Sequence, residues 1–478
     1  MIEKTKKRTA NIVKIFSKFR RLEYLYVLLA LMFGFIFIAI VPPGWNPDEP
    51  QHYWRTQQIA QAGFMSDEFD GPGEIVYTGG KLLPDEANFI LSYKVFEGLT
   101  DPSLRLNFPM WENEGAIKGT ATEAEPVDVA FAGSGRYSPL VYAPQAVGVG
   151  VGNILNLPLL GGFYLAKVFG LLVQVAAIAL AIYLIPRGKW ILFIIGLLPS
   201  TVTQSVALGG DVMTTSVGLL FIALVLRLAF GAKRISSSSL VWVAILIAML
   251  GLVKPSYLPL AGLIVLIPIL HKNFRKPLTL LKYGAIFAVA TLPGLIWLKM
   301  TSFIQDNYSH GVDPEAQQEY VIRQPLDFIA SFFNTYFTDS QPKIYKTLLG
   351  NFAWDTAPLP FIFMLVIVVV LVLSLFLSSP REQSFTITPA IKAIFLGLSG
   401  LLILVISYGL YVFYTPLKEP SIMGIQSRYF IPFLPLILLS LHNPIKQIQQ
   451  VWIKRSVILL LVAALISTIV VLVYRIYL

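Results

Sequence analysis

Residues 25–41 read LYVLLALMFGFIFIAIV, a run of apolar side chains that stops at Pro42 and Pro43. A helix of this length just crosses a bilayer core of about 30 Å. Similar runs recur along the 478 residues, of which 55% are hydrophobic and only 13% charged, with a mean hydropathy of +0.68. In soluble proteins about a quarter of the residues are charged. The sequence therefore predicts a polytopic membrane protein and excludes a water-soluble enzyme.

About eleven membrane spans are predicted, at residues 25–41, 163–185, 190–208, 212–230, 240–253, 256–270, 279–299, 359–378, 391–414, 426–441 and 456–475. Residues 139–157 are also apolar, but they contain Pro139 and Pro144. We expect them to dip into the membrane from the outer face; if they cross, the spans number twelve. No small-residue cleavage site follows the first run, which predicts an uncleaved helix rather than a signal peptide.

The charges divide unevenly along the chain and predict its orientation. Residues 1–22 carry eight Lys or Arg and one acid, whereas residues 42–138 carry 15 acids and 6 bases. The positive-inside rule places a basic N-terminus in the cytoplasm, so the acidic loop faces outward. With eleven spans, five further basic connections fall on the cytoplasmic side. We expect a multi-pass membrane protein with its N-terminus in the cytoplasm.

The predicted fold is all-α and polytopic, with a large outer loop that carries juxtamembrane helices. Residues 1–24 form a basic cytoplasmic N-terminus, and residues 25–299 form an N-terminal transmembrane module that includes the outer loop 42–138. Residues 300–358 form a second outer loop, and residues 359–478 supply the C-terminal spans. Loops as long as these two are usually folded or functional.

The first candidate site follows the first span, in Asn46-Pro47-Asp48-Glu49-Pro50-Gln51-His52. One interpretation is a helix start, with Asn46 as N-cap, Pro47 as first helical residue and Glu49 completing a capping box. The other is catalytic, with Asp48 and His52 on one helical face, four residues apart. Both interpretations stay open at the level of the sequence.

Four further charged residues are predicted at the outer ends of spans or loops. Asp211 is a lone acid between two apolar runs, either a helix cap or a residue facing a cavity. Lys254 and Arg428 stand at outer span ends, against the inside bias of basic residues, which favours an anionic partner over snorkelling. Arg136 ends the acidic loop, where an arginine without function is common.

Several kinds of site are excluded by the sequence. The chain has no cysteine, and its four histidines lack metal-ligand spacing. No phosphate-binding glycine loop or dinucleotide fingerprint is present. The positive charge is expected to face anionic membrane lipid, and no nucleic-acid partner is predicted.

Five motifs in order resemble the bacterial family of predicted membrane proteins called domain of unknown function 2142: Asn46-Pro47-Asp48-Glu49-x-x-His52, Tyr137-x-Pro139, Asp211, Lys254-Pro255-x-Tyr257 and Gln426-x-Arg428-Tyr429. The acidic pair after the first span also resembles that of polyprenyl-linked sugar transferases of GT-C architecture. The likeness covers nearly the whole chain. This chain departs from the pattern of those enzymes in its second outer acid, which is a single Asp211 rather than a cluster of acids.

The resemblance implies a glycosyltransferase that moves a sugar from a polyprenyl-phosphate donor to an acceptor hydroxyl of a cell-envelope glycan, lipid or protein, with inversion. It implies Asp48 and Glu49 as catalytic residues, with Asp48 as general base. His52, Asp211 and Tyr137 would position substrate. Lys254, Arg428, Arg136 and Tyr257 would bind the lipid phosphate. The resemblance leaves open whether a cofactor is used; if a divalent cation, Mg²⁺ or Mn²⁺, takes part, Asp48, Glu49 and Asp211 would be its ligands.

Two alternative functions share these features. A transporter or flippase of lipid-linked glycan would also place charges at the outer face, but it needs ionisable residues deeper in the spans. A polymerase or ligase of surface polysaccharide would use the same face and donor lipid. The concentration of charge on one face favours the transferase.

Overall fold

A computed structural model describes residues 21–70, 76–112, 125–231, 234–271, 276–304, 311–338, 348–380, 382, 387–442 and 448–478. Most of them are helical. The basic segment 1–20, on which the predicted orientation depends, lies outside the described residues. Membrane orientation therefore stays a prediction.

Six helices in the described part of the chain are long and apolar enough to cross a membrane. They are α1 (Leu22–Ile40), α7 (Leu159–Leu184), α10 (Asp211–Leu226, extended by a π-helical turn Arg227–Gly231), α13 (Pro277–Met300), α17 (Pro389–Phe413) and α19 (Val451–Tyr477). The predicted membrane protein with apolar helices is confirmed, whereas the count of eleven spans stays a prediction.

The other predicted spans are helical but shorter or broken. Residues 190–208 form α8 (Lys189–Gly196) and α9 (Pro199–Ser205), because Pro199 has no N–H to continue the first helix. Residues 256–270 form a 3₁₀ helix (Pro255–Val265) and α12 (Leu266–Leu270). Three more apolar stretches hold α11 (Ser237–Val253), α16 (Phe361–Ser374) and, after a 3₁₀ turn (Ser427–Phe430), α18 (Leu434–Leu441).

The described parts of the loop 42–138 contain four helices, α2 (Glu49–Ala60), α3 (Pro84–Phe89), α4 (Val95–Thr100) and α5 (Ala132–Gly135), with 3₁₀ turns at Leu91–Tyr93 and Met110–Glu112. It also contains an antiparallel sheet of β1 (Asp67–Asp70), β2 (Val76–Leu82) and β3 (Val127–Ala130). Asp67 pairs with Gly79, and Gly79 with Ala130. The all-α prediction missed this sheet, because strands as short and polar as Asp67–Asp70 lack an apolar alternation.

The second predicted loop, 300–358, contains α14 (Pro314–Arg323), α15 (Pro325–Phe337) and a short antiparallel pair of strands, β4 (Asn351–Phe352) and β5 (Ala357–Pro358). The turn between these strands contacts the segment that follows α1, because the Trp354 indole N–H donates to the Gly44 carbonyl over 3.0 Å. The two loops that are distant in sequence therefore meet.

The stretch 139–157 forms α6 (Pro139–Ile154), which packs closely against the first part of α7. A Cβ atom on Gly148 would lie 2.6 Å from the backbone of Ala166, and one on Gly152 would lie 2.8 Å from Gly162. Small residues at both levels let the two helix backbones approach. That α6 dips into the bilayer from the outer face stays a prediction.

The contact between α6 and α7 yields a stability test. Gly148→Ala should lower the free energy of unfolding by about 1–3 kcal/mol, because its methyl group overlaps the backbone of the facing helix. Gly150→Ala is the matched control in the same helix, since a Cβ there meets nothing within 4 Å. Thermal unfolding in one detergent compares them; equal shifts for the two variants would contradict this packing.

Candidate functional site

Arg428 is the centre of a cavity in which distant parts of the chain meet. Its Nη2 donates to Asp48 Oδ2 over 2.8 Å, across 380 residues of sequence, and its Nε lies 3.2 Å from Asp211 Oδ2. The Arg428 side chain is 11% exposed, against 44% for Asp48 and 21% for Asp211. One largely buried guanidinium therefore bridges two partly accessible carboxylates.

The lining of this cavity, which we call the charged cavity, comes from segments next to α1, α10 and α11 and from the 3₁₀ turn before α18. The lining residues are Asp48, His52, Tyr137, Gly210, Asp211, Thr214, Lys254, Arg428 and Tyr429. Six of the nine predicted site residues are among them.

Asp48 has an unusual backbone conformation, with φ of 62° in the left-handed region. Aspartate and asparagine tolerate this region better than most residues with a side chain. Helix α2 begins only at Glu49, so the predicted N-cap Asn46 and helical Pro47 are wrong. Asp48 therefore lies just outside the helix, and its carboxylate accepts a hydrogen bond from Arg428.

Glu49 lies behind the cavity wall, completely buried. Its carboxylate accepts from the backbone N–H of Gly44, the side-chain amide of Asn46 and the backbone N–H of Leu208, each over 3.0 Å. The ammonium of Lys167 on α7 is 3.8 Å away. Glu49 therefore fixes the segments on both sides of the cavity but does not line it, and its part in the chemistry stays a prediction.

His52 and Tyr137 form the aromatic side of the cavity, with ring centroids 6.1 Å apart. His52 Nδ1 lies 2.7 Å from the hydroxyl of Tyr142 on α6. Burial lowers the pKa of His52 to about 4; Asp48 opposes this shift and Arg428 adds to it. The imidazole is therefore neutral at physiological pH and is suited to hydrogen bonding rather than to charge pairing.

Lys254 is the second cation of the cavity, at the end of α11. Its Nζ lies 4.0 Å from the ring centroid of Tyr429. Across the described ranges, no carboxylate lies within 4.0 Å of it. The ammonium stacks on an aromatic face and keeps its positive charge available for an anion.

Tyr257 and Arg136 do not line the cavity, and their phosphate contacts stay predictions. The Tyr257 hydroxyl donates to the Tyr429 carbonyl over 2.7 Å, and the side chain is 1% exposed. The Arg136 Nε donates to the Ile304 carbonyl over 2.9 Å, and its guanidinium lies over the Phe413 ring. Tyr257 supports Tyr429 from behind, and Arg136 joins the loop 42–138 to the end of α13.

The predicted ligand set for a divalent cation is not assembled. Asp48 and Asp211 both face the Arg428 guanidinium, and Glu49 points the other way. Among the residues described, no three His, Asp or Glu side chains gather as metal ligands would. These carboxylates do not fit Mg²⁺ or Mn²⁺ in this arrangement, so no step is derived through a metal ion.

The chain belongs to the family described as predicted membrane protein (DUF2142). The family model matches residues 31–437, which include every residue that lines the charged cavity. No curated protein and no solved structure matches the chain. The family expected from the motifs is confirmed, whereas the likeness to GT-C enzymes stays a prediction.

In this DUF2142 protein, sequence analysis missed two residues that shape the site. Tyr142 holds the ring of His52, and Lys167 balances Glu49 while donating to the Val41 carbonyl over 3.0 Å. A signal for Lys167 was available: a lysine inside an apolar run requires a partner when the helix is buried. Tyr142 carries no such signal, because buried tyrosines are common.

The buried pair of Glu49 and Lys167 leads to a stability prediction. Glu49→Gln and Lys167→Met should each lower the free energy of unfolding by about 3–5 kcal/mol, because each leaves a buried charge without its partner. The double variant should lose much less than the sum. Thermal unfolding in one detergent measures the cycle, with the exposed Glu97→Gln as control; strict additivity would show that the charges are not coupled.

Proposed function

We propose that this protein is a membrane glycosyltransferase. It moves a sugar from a polyprenyl-phosphate donor to an acceptor hydroxyl of a cell-envelope glycan, lipid or protein, with inversion at the sugar carbon. The observation that carries the proposal is one cavity that joins two carboxylates, a bridging guanidinium and a lysine that pairs with no acid in the described part of the chain. A carboxylate can accept the proton of a hydroxyl, and a lysine can hold a phosphate.

Asp48 acts as the general base. Its Oδ2 is held by Arg428, whereas Oδ1 accepts no hydrogen bond from any residue that the structure describes. The acceptor oxygen bonds to C1 of the sugar, its proton passes to Asp48 Oδ1, and the bond from C1 to the phosphate oxygen breaks. The carboxylates of Asp48 and Asp211 place negative charge near the sugar carbon as it becomes positive, while Lys254 faces the leaving phosphate.

Lys254 binds the phosphate of the donor. The leaving phosphate gains negative charge as the bond to sugar breaks, and a fixed cation stabilises that change. Arg428 is largely engaged by Asp48 and Asp211, so we assign it the positioning of the two acids rather than the predicted phosphate contact. Neutral His52 and Tyr137 offer hydrogen bonds to the hydroxyls of the transferred sugar.

We place the site at the outer face of a bacterial cytoplasmic membrane, with the N-terminus in the cytoplasm. The charge distribution supports this orientation, because the two long loops 42–138 and 300–358 carry more acids than bases, whereas the five connections predicted on the inner side are basic. The ends of α1 and α11 and the start of α10 lie around the cavity. A polyprenyl tail can then lie among the apolar helices while its phosphate reaches Lys254.

The base is tested by Asp48→Asn. Asparagine tolerates the left-handed backbone of this position, so the fold should be kept while transfer falls by about 10²- to 10⁴-fold. Transfer is measured in membrane vesicles as radiolabelled sugar moving from the lipid fraction to the acceptor fraction. Asp128→Asn, an exposed acid of the same loop, is the control. Full activity of Asp48→Asn would show that Asp48 is not the base. If the wild-type protein instead moves lipid-linked glycan across the membrane without forming a new glycosidic bond, the result would favour the alternative function of a flippase.

The phosphate site is tested by Lys254→Gln. We expect the KM for the donor to rise by about tenfold or more, since a phosphate loses its charged partner. The KM for the acceptor should change little. Lys299→Gln is the control, because Lys299 is an exposed lysine near the end of α13 that lies outside the cavity. An equal effect of Lys254→Gln on both substrates would place the phosphate elsewhere.

A further inference from the structure

A second cavity lies on the other side of Arg428. We call it the polar cavity, and its lining residues are Pro47, Ser200, Thr203, Gln204, Asn351, Phe352, Trp354, Asp355, Gln426 and Arg428. Arg428 lines both cavities, and Pro47 immediately precedes Asp48. The polar cavity therefore lies next to the proposed base, with a lining that differs from that of the donor site in every residue but Arg428.

The lining chemistry of the polar cavity differs from that of the charged cavity. Its hydroxyl and amide side chains both donate and accept hydrogen bonds: Ser200, Thr203, Gln204, Asn351 and Gln426. The charged lining is limited to Asp355 and to Arg428, which already bridges two acids. Such a surface is poorly suited to a phosphate and well suited to a neutral ligand with many hydroxyl groups.

Two polar atoms of this lining have no partner in the described protein. The Oγ of Ser200, a residue only 4% exposed, and the Oδ1 of Asn351 are buried without a hydrogen bond. Leaving such an atom unsatisfied costs about 1–3 kcal/mol, so buried polar atoms are normally paired. Hydroxyl groups of a ligand in the cavity would supply the missing partners.

Trp354 is held at the cavity by a strained turn. Ala353, Trp354 and Asp355 have φ of 48°, 56° and 67°, three consecutive residues in the left-handed region. The turn is closed by the pairing of β4 with β5 and fixed by the bond from the Trp354 indole to the Gly44 carbonyl. Strain of this kind persists at binding sites, where it presents a side chain in one orientation.

An indole beside hydroxyl and amide groups matches the two surfaces of a sugar ring. The apolar C–H face of the ring packs on an aromatic side chain, and the hydroxyl groups around its edge bond to the polar side chains. We infer that the polar cavity binds the carbohydrate part of the acceptor, so that the acceptor is a glycan rather than a protein side chain or a simple lipid. This inference rests on the proposed function, which gives the charged cavity to the donor.

The inference is tested by direct binding, without turnover. Saturation-transfer NMR with the purified protein in detergent would use di- and trisaccharides of glucose, mannose, galactose, rhamnose and N-acetylglucosamine as probes. We expect at least one oligosaccharide to bind, and inorganic phosphate not to displace it. No binding by any of these probes, or displacement by inorganic phosphate, would overturn the inference.

Two neighbouring substitutions locate the bound sugar. Ser200→Ala removes a hydroxyl that has no partner in the protein, so it should fold normally and raise the Kd for the oligosaccharide by about fivefold. Thr201→Val removes a hydroxyl that is equally buried and unpaired but does not line the cavity, so its Kd should equal that of the wild type. Equal Kd values for both variants would overturn the assignment.

Trp354→Leu provides an independent test of the same site. The Kd for the oligosaccharide should rise by about tenfold or more, because the sugar ring loses its stacking on the indole. An unchanged Kd in this variant would contradict the role of the indole. Lys254→Gln should leave oligosaccharide binding unchanged. Failure of the proposed function would appear as an active Asp48→Asn variant with binding intact, whereas failure of this inference would appear as absent binding with transfer intact.

Discussion

The buried carboxylate of Glu49 is the constraint on which the site depends. It accepts backbone N–H groups from the segment after α1 and from Leu208, three residues before Asp211, and it faces Lys167 on α7. A buried carboxylate needs such partners, because an unpaired charge in a low-dielectric interior is very costly. By satisfying them, Glu49 fixes the position of the two segments that carry Asp48 and Asp211.

Arg428 then divides the site into two chemically different halves. In the charged cavity it bridges the two acids beside a neutral histidine and a lysine that pairs with no carboxylate among the described residues. In the polar cavity it lies among side chains that are mostly neutral hydroxyl and amide groups. A transferase needs such a division, because its donor carries a phosphate and its acceptor carries hydroxyl groups. The proposed base, Asp48, lies next to both halves, where a proton would leave the acceptor as the donor bond breaks.

The sequence predicted the helical membrane protein, the family and most of the charged cavity, because apolar runs and isolated charges at their ends follow from the cost of placing charge in lipid. It could not separate Asp48 from Glu49, since adjacent carboxylates look alike until their partners are known. The small sheet and the polar cavity were also missed. Neutral residues such as Ser200 and Asn351 carry no local signal, and the strained turn at Trp354 meets the segment after α1 only in three dimensions.

The envelope glycans of cells with and without this protein provide the most direct test of the central claim, that the charged cavity transfers a sugar. Mass spectrometry of the purified glycans should show one sugar residue missing when the protein is absent and restored when the wild-type chain is supplied. Identical glycans in all three strains, with the protein present at its normal level in the wild type, would contradict the claim.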